Sequence, residues 1–262
     1  MRINKVKRLL QEGKPAIGTW LNFPCTNSAE AMAHAGWDWV TVDAEHGPID
    51  LEMLNNMFIA IGTTDAVPMC RVPDNDPVYI KRILDAGAYG CVIPMVCSAE
   101  EAQRAVRNCK YPPEGIRSAG GGRWRFWAGA DYQQHANDEI LVIVQIEHPD
   151  AVKRAEEILS VPGVDACFIG PGDLAWTMGL GKGLGEKDPR HAEAVAEVLR
   201  AAKKVGVPAG IHCRSVDEVP MRVEQGFQFL ACMNDIGFMF NSASAAVKTI
   251  RERVGQGRTG GS

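Results

Sequence analysis

The sequence predicts a single (β/α)8 barrel, on two observations. Eight short β-rich runs alternate with helix-length segments, and polar residues gather at the ends of those runs. The runs are AIGTWLNF (16–23), WDWVTVDAEH (37–46), VPMCRVP (67–73), GCVIPMV (90–96), ILVIVQIEH (140–148), VDACFIGPGD (164–173), VPAGIHC (207–213) and FQFLACMND (227–235). Most are nearly continuous in Val, Ile, Cys and Ala, as expected of parallel strands covered on both faces. Between them, apolar residues recur at helical spacing over 27–35, 50–61, 76–86, 98–108, 150–159, 188–204 and 216–225, and a last such segment, 239–254, follows the eighth run. Ala35-Gly36, Ala86-Gly87, Val205-Gly206 and Gln225-Gly226 fit left-handed helix stops. A doubly wound open sheet offers no reason for eight such units. The N-terminal MRINKVKRLLQEGK reads as a short amphipathic helix. The barrel domain is expected over residues 1–254, with the Gly-rich GQGRTGGS at 255–262 as a flexible tail.

Composition narrows the function classes. A chain of 262 residues that is 46% hydrophobic has material for one large core. The net charge of −4, with no basic block, speaks against a nucleic-acid partner. No apolar run reaches about 18 residues and the N-terminus lacks a secretory core, so no membrane partner and a cytoplasmic location are expected. The eight cysteines form no CxxC pair and several sit inside apolar runs, which reads as buried thiols rather than a disulfide framework or zinc knuckle.

In a barrel of this kind the active site lies at the C-terminal ends of the strands. The second run ends Asp43-Ala44-Glu45-His46, the third gives Arg71, the fifth ends Gln145-Ile146-Glu147-His148 and the sixth Gly170-Pro171-Gly172-Asp173. The seventh gives His212 and Arg214, the eighth Asn234 and Asp235. Charges after runs such as VIVQI are costly to bury unless paired or bound to a metal. Glu147 and Asp173 end adjacent strands and suit a shared hard divalent cation, with an ion pair to Arg71 or solvation in a loop as the alternative. The Gly170-Pro171-Gly172 turn presents backbone N–H groups at a helix start, where a carboxylate or phosphate oxygen is accepted. His46, three residues after Asp43, is the candidate general base, oriented by that carboxylate. His148, followed by Pro149-Asp150, reads instead as a helix-start residue. No strand run contains a lysine, so carbanion chemistry through a Schiff base is unsupported and a metal is the expected electron sink. No Gly-x-Gly-x-x-Gly follows a strand and no P-loop is present, which leaves nucleotide chemistry unsupported.

With these residues in place, the sequence resembles the metal-dependent class II pyruvate aldolases, the 4-hydroxy-2-oxoheptanedioate aldolase (HpcH/HpaI aldolase) family. The resemblance spans roughly residues 3–254 and rests on Gly18-Thr19-Trp20-Leu21, Asp43-x-Glu45-His46-Gly47, Arg71-Val72-Pro73, IKRILDAGAYGCVIPMV (80–96), YPPEGIRS (111–118), Gln145-x-Glu147 and FIGPGDL (168–174). It implies that Glu147 and Asp173 ligate Mg2+, Mn2+ or Co2+, that Arg71 stabilises an enolate, and that His46 with Asp43 acts as acid and base. Gln145 and the backbone at Gly172 would hold the pyruvate unit, with Trp20 also at the substrate. Such proteins are homohexamers, trimers of dimers with exchanged C-terminal helices, and Asp85 would approach a neighbouring subunit's site.

Three departures lie at the mouth, one of them an eighth strand that ends Cys232-Met233-Asn234-Asp235 in place of Val-Gly-x-Asp. The loop reads AGGGRWRFWAG, adding Trp124, Phe126 and Trp127 with Arg123 or Arg125 as candidates for the aldehyde partner, and the seventh strand ends His212-Cys213-Arg214 in place of small apolar residues. The long segment 111–134 that holds this loop reads as irregular and functional. Its aromatics fit either a substrate wall, which Arg125 and His212 would share, or a subunit interface. The expected reaction is reversible cleavage of a 4-hydroxy-2-oxo acid to pyruvate, or a related 2-oxo acid such as hydroxypyruvate, and an aldehyde. The alternatives are a metal-dependent lyase, synthase or decarboxylase acting on oxaloacetate, and a non-catalytic 2-oxo acid-binding protein.

Overall fold

The computed structural model describes residues 1–181 and 187–255. The expected tail from residue 256 onward lies outside the described residues. The first half of the chain runs α1 (Lys5–Gln11), β1 (Ala16–Leu21), α2 (Thr26–Ala33), β2 (Trp39–Asp43), α3 (Leu51–Ile61), β3 (Val67–Arg71), α4 (Pro77–Ala86), β4 (Gly90–Ile93) and α5 (Ala99–Cys109). It continues α6 (Trp124–Trp127), α7 (Tyr132–Glu139), β5 (Leu141–Ile146), α8 (Pro149–Lys153), α9 (Ala155–Leu159), β6 (Ala166–Ile169) and α10 (Pro171–Thr177). The last elements are α11 (Pro189–Val205), β7 (Ala209–Cys213), α12 (Glu218–Gln225), β8 (Phe229–Asn234) and α13 (Asp235–Arg253).

The eight strands are all parallel and close in sequence order, β1 back onto β8. Each β-rich run contains its strand; the residues that overhang at the C-terminal ends form the mouth. Gly36, Gly87, Gly206 and Gly226 all take positive φ, between 74° and 115°, after the helices they stop. One expected helix is broken: 150–159 divides into α8 and α9 at Arg154. His148 caps α8, its Nδ1 accepting from the Asp150 N–H at 3.1 Å. The segment 111–134 is less irregular than its Gly and Pro content suggests, since Trp124–Trp127 is a helical turn and α7 begins at Tyr132.

Rings fill the barrel's lower interior. Trp39 stacks on Phe229 at 4.3 Å between centroids, and Phe168 meets Phe229 edge-on at 5.9 Å. Gly18 makes room for this stack, because a Cβ there would lie 2.1 Å from the Trp39 ring. Above the rings, the strand registers define one layer. From Trp20 the pairing passes through Thr41 to Met69, and two residues further along β3 is Arg71. Arg71 leads through Val92 to Ile143 and so to Gln145, and Gln145 through Phe168 to Gly210 and so to His212. His212 leads through Ala231 to Gly18 and back to Trp20, an overall offset of eight residues, the shear of this fold. Trp20, Arg71, Gln145 and His212 therefore stand at one height on the odd-numbered strands. In most barrels such a layer is Val, Ile and Leu. Here it is the polar floor of a cavity.

Candidate active site

That cavity opens at the C-terminal mouth and has a volume of about 500 Å³. The four floor residues line it, with Asn22, Asp43, His46, Phe168, Gly170 to Asp173, Arg214 and Asn234. The strand ends thus bring together His46, Arg71, Asp43, Asp173, Gln145, Gly172, Trp20 and His212, and Glu147 stands directly behind Gln145.

Arg71 is the most constrained cation in the site. Its Nε and Nη2 donate to the two oxygens of Asp43 at 2.9 and 2.6 Å, a bidentate pair. Nε also lies 3.1 Å from Glu45 Oε2, and the guanidinium sits 4.6 Å above the Trp20 ring. Burial opposes the Arg71 charge, but Asp43, Glu45 and Glu147 together raise its affinity for the proton. Nη1 has no protein acceptor among the described residues, so one face of the fork is left for a ligand.

Asp43 is almost wholly buried and is fully engaged, because besides Arg71 it accepts from Asn22 Nδ2 at 2.7 Å and from the backbone N–H groups of Glu45 and His46 at 3.2 and 3.3 Å. This corrects the expected Asp43–His46 dyad. Asp43 fixes the His46 backbone, while the imidazole is 61% exposed and its nearest carboxylate is Glu45 at 3.7 Å. With Arg71, Asn22 and two backbone N–H groups all on its oxygens, Asp43 has no capacity left for the ring.

Glu147 is 2% exposed and makes no ion pair among the described residues. Its oxygens accept instead from neutral donors: the Met95 N–H at 2.9 Å and the Gln145 amide in a short hydrogen bond. Burial pushes its carboxyl above the usual range, those hydrogen bonds pull it down, and the charges of Asp173 and Glu45 add to the rise. The Arg71 alternative for Glu147 is therefore not what the chain adopts. Met95 reaches its position with φ of 52°, a strained value for a side-chain-bearing residue that places its N–H on the carboxylate. Gly170 is equally specific, since a Cβ there would meet Glu147 Oε2 at 2.6 Å.

Among the described residues no cluster of three or more His, Cys, Asp or Glu side chains is arranged to hold a metal. Glu147 and Asp173 nevertheless fit a hard cation that takes its remaining oxygens from substrate and water. Two neighbouring carboxylates, one of them buried and without an ion pair among the described residues, are chemistry that a bound cation would complete.

The structure separates two expected residues from the mouth. Asp85 ends α4, beside the start of β4 at the opposite end of the barrel, where Arg117 Nη2 donates to it at 2.8 Å. The loop that carries Arg125 packs at that same end: Arg123 N–H donates to Asp85 O at 2.9 Å and Trp124, buried, stacks on Tyr132 at 4.8 Å. Arg125 lies over Trp124, and Phe126 is 89% exposed. Three contributors escaped sequence reasoning. Asn22 follows β1 at the same strand-end level as the others and was findable by that rule, Glu45 lay inside the Asp43–His46 motif without a role, and Met95 acts through its backbone, which leaves no residue-type signal.

A parallel barrel with a polar floor, a fixed guanidinium and acidic side chains at its mouth has the layout of a barrel enzyme's active site, and comparison with known proteins gives its class. The family model described as HpcH/HpaI aldolase/citrate lyase matches residues 16–242, and the chain belongs to that family. It is a carbon–carbon lyase of the aldolase type. It is 38% identical over 253 residues to the 2-dehydro-3,6-dideoxy-6-sulfogluconate aldolase of Pseudomonas putida, covering 94% of this chain and 96% of that one. It is also 38% identical over 265 residues to the hydroxypyruvate/pyruvate aldolase of Paraburkholderia phytofirmans, covering 95% and 98%. A crystal structure of an HpcH/HpaI aldolase/citrate lyase family protein from Burkholderia cenocepacia J2315 superposes with a TM-score of 0.90 at 33% identity, over 95% of this chain and 99% of that one.

Proposed function

We propose that the chain is a divalent-metal-dependent aldolase that reversibly cleaves 4-hydroxy-2-oxo acids to pyruvate, or a related 2-oxo acid such as hydroxypyruvate, and an aldehyde. The observation that carries this reading is the buried Glu147 carboxylate beside Asp173, satisfied by amide donors and without an ion pair among the described residues. Glu147 and Asp173 would hold the ion, with Mg2+, Mn2+ and Co2+ the candidates. When bound, it supplies Lewis acidity toward the oxygens of the 2-oxo acid.

The remaining steps fall to the chain's own residues. The Gly172 backbone at the start of α10 binds the substrate carboxylate. The free face of Arg71 donates to the keto oxygen, whose charge grows as the C3–C4 bond breaks and its electron pair forms the enolate. Asp43 and Trp20 keep the guanidinium aimed at that position, so little reorganisation is needed. His46, exposed at the rim and near Glu45, takes the proton of the 4-hydroxyl, and a proton is returned to C3 as the 2-oxo acid forms. Lysine chemistry finds no support: Lys7 pairs with Asp165 at 2.8 Å, Lys110 bonds Asn137 O, and neither lines the cavity.

The oligomer is part of the proposal. Helix α13 projects Phe240, Val247 and Ile250 into solvent at 68%, 49% and 59% exposure, which fits exchange with a neighbouring copy in a homohexamer. In that assembly a neighbour's Asp85 and Arg125 would reach the mouth. Among the described residues no helix is long and apolar enough to cross a membrane. The testing experiment incubates metal-loaded protein with pyruvate, hydroxypyruvate or oxaloacetate and a panel of aldehydes, identifying products by mass spectrometry. Aldol adducts from pyruvate or hydroxypyruvate are expected. Decarboxylation or citrate formation from oxaloacetate, without aldol adducts, would reject the reading.

A further inference from the structure

The floor layer contains more unsatisfied hydrogen-bonding capacity than pyruvate can fill. Trp20 Nε1 is buried with no acceptor, and Gln145 Oε1 is buried with no donor. The Gln145 orientation is fixed by chemistry, because its amide nitrogen must be the atom that donates to Glu147. His212 completes the layer, and among the described residues its imidazole makes no hydrogen bond; Glu218 of α12 lines a neighbouring cavity with it. Burial, with Arg71 and Arg214 adding to it against Glu218, pushes the ring down to about 4, so it is neutral at ordinary pH. The half-buried imidazole is thus a polar group lining the cavity, in a layer that barrels fill with aliphatic residues, and its nitrogens are open to a ligand there.

Pyruvate offers oxygens that only accept and a methyl that does neither. It can answer Trp20 Nε1 but brings no donor to Gln145 Oε1, and it meets a bare imidazole nitrogen with nothing. A hydroxyl both donates and accepts, so it satisfies His212 in either tautomer. Position decides which half of the substrate this concerns. His212 stands in the floor, level with Arg71 and Gln145, where the 2-oxo acid must sit to reach Glu147 and Asp173; the aldehyde enters from the open rim. Building on the aldolase reading above, we infer that His212 is a specificity-determining residue for the donor, hydrogen-bonding a hydroxyl on C3, and that the preferred donor is a 3-hydroxy-2-oxo acid rather than pyruvate.

The test compares wild type, His212→Leu and His212→Asn, each loaded with Mg2+, using hydroxypyruvate and pyruvate against glycolaldehyde as common acceptor. Tryptophan fluorescence, reporting through Trp20, measures binding of each donor without the aldehyde. Wild type should favour hydroxypyruvate in kcat/KM and in binding. His212→Leu should lower the hydroxypyruvate-to-pyruvate ratio about tenfold in both readouts, the scale of a hydrogen bond lost to a neutral group, while the Asn amide retains most of the preference. Should the Leu variant fail to fold, His212→Val, a residue natural to barrel layers, reads the same ratio. A wild type that prefers pyruvate, or a Leu or Val ratio within about twofold of wild type, would overturn the inference and leave the aldolase reading standing. Turnover of neither donor by wild type would overturn both.

Discussion

Gly170→Ala is the smallest change that should disable the metal site while sparing the barrel. Gly170 lies at φ −89° and ψ 89°, where alanine has no backbone penalty, so the effect must come from the added methyl group. That carbon would stand 2.6 Å from Glu147 Oε2 and 3.0 Å from Gln145 Nε2. The first distance is about 0.8 Å inside the 3.4 Å at which ordinary contact begins, and Glu147 has little room to yield. Its second oxygen is tied to the Met95 N–H at 2.9 Å, and its neighbour Gln145 is locked into the floor. The carboxylate must turn by several tenths of an ångström, more than the roughly 0.2 Å tolerance of a metal–ligand distance. We expect divalent-ion affinity to fall about 10- to 100-fold, with an overpacking cost to the fold of about 1–3 kcal/mol. Calorimetric titration of metal-free protein with Mn2+ measures the first, and thermal melting in chelator the second. A folded Gly170→Ala protein that bound Mn2+ like wild type would refute the assignment of Glu147 as a ligand.

Three further outcomes are expected. Arg71→Ala should lower kcat at least about 100-fold, and Arg71→Lys should rescue little, because an ammonium cannot make the bidentate contact with Asp43 and still present a free face. Arg125→Ala and Phe126→Ala, both altering outward-facing side chains, should change the ranking of aldehydes in steady-state assays; an equal loss on every aldehyde with a lower mass in light scattering would instead mark the loop as an interface. Stability should fall as pH drops from 6.5 toward about 4, because His212 is held near 4 in the fold and the unfolded chain takes up its proton first; relative to His212→Leu, wild type should lose up to about 3 kcal/mol across that window in denaturant melts, and parallel curves would contradict the burial of His212.

The architecture was legible because parallel buried strands write themselves as apolar runs and the barrel places chemistry at their ends. Glu147, Asp173, Arg71 and Asp43 follow from that rule alone. What the rule misses is pairing. Nothing in the string Asp43-Ala44-Glu45-His46 says that Asp43 spends its oxygens on Arg71 and leaves the His46 ring exposed, since that depends on a register of β2 against β3 that is set in three dimensions. The floor layer is hidden for the same reason: Trp20, Arg71, Gln145 and His212 are scattered over the chain and meet only through the shear of the closed sheet. The loop at 123–127 shows the opposite limit, where unusual composition announces a role but one chain's fold places it away from the mouth.

In the proposed reaction the aldolase forms its carbanion with a metal and without a lysine adduct. The most direct test follows hydrogen–deuterium exchange at C3 of pyruvate by proton NMR in D2O, with no aldehyde present. Chelator-treated protein should not exchange, Mg2+ should restore exchange, and borohydride should add no mass to the chain in either state. Exchange that persists in chelator, together with a pyruvate-derived adduct reduced onto a lysine, would contradict it.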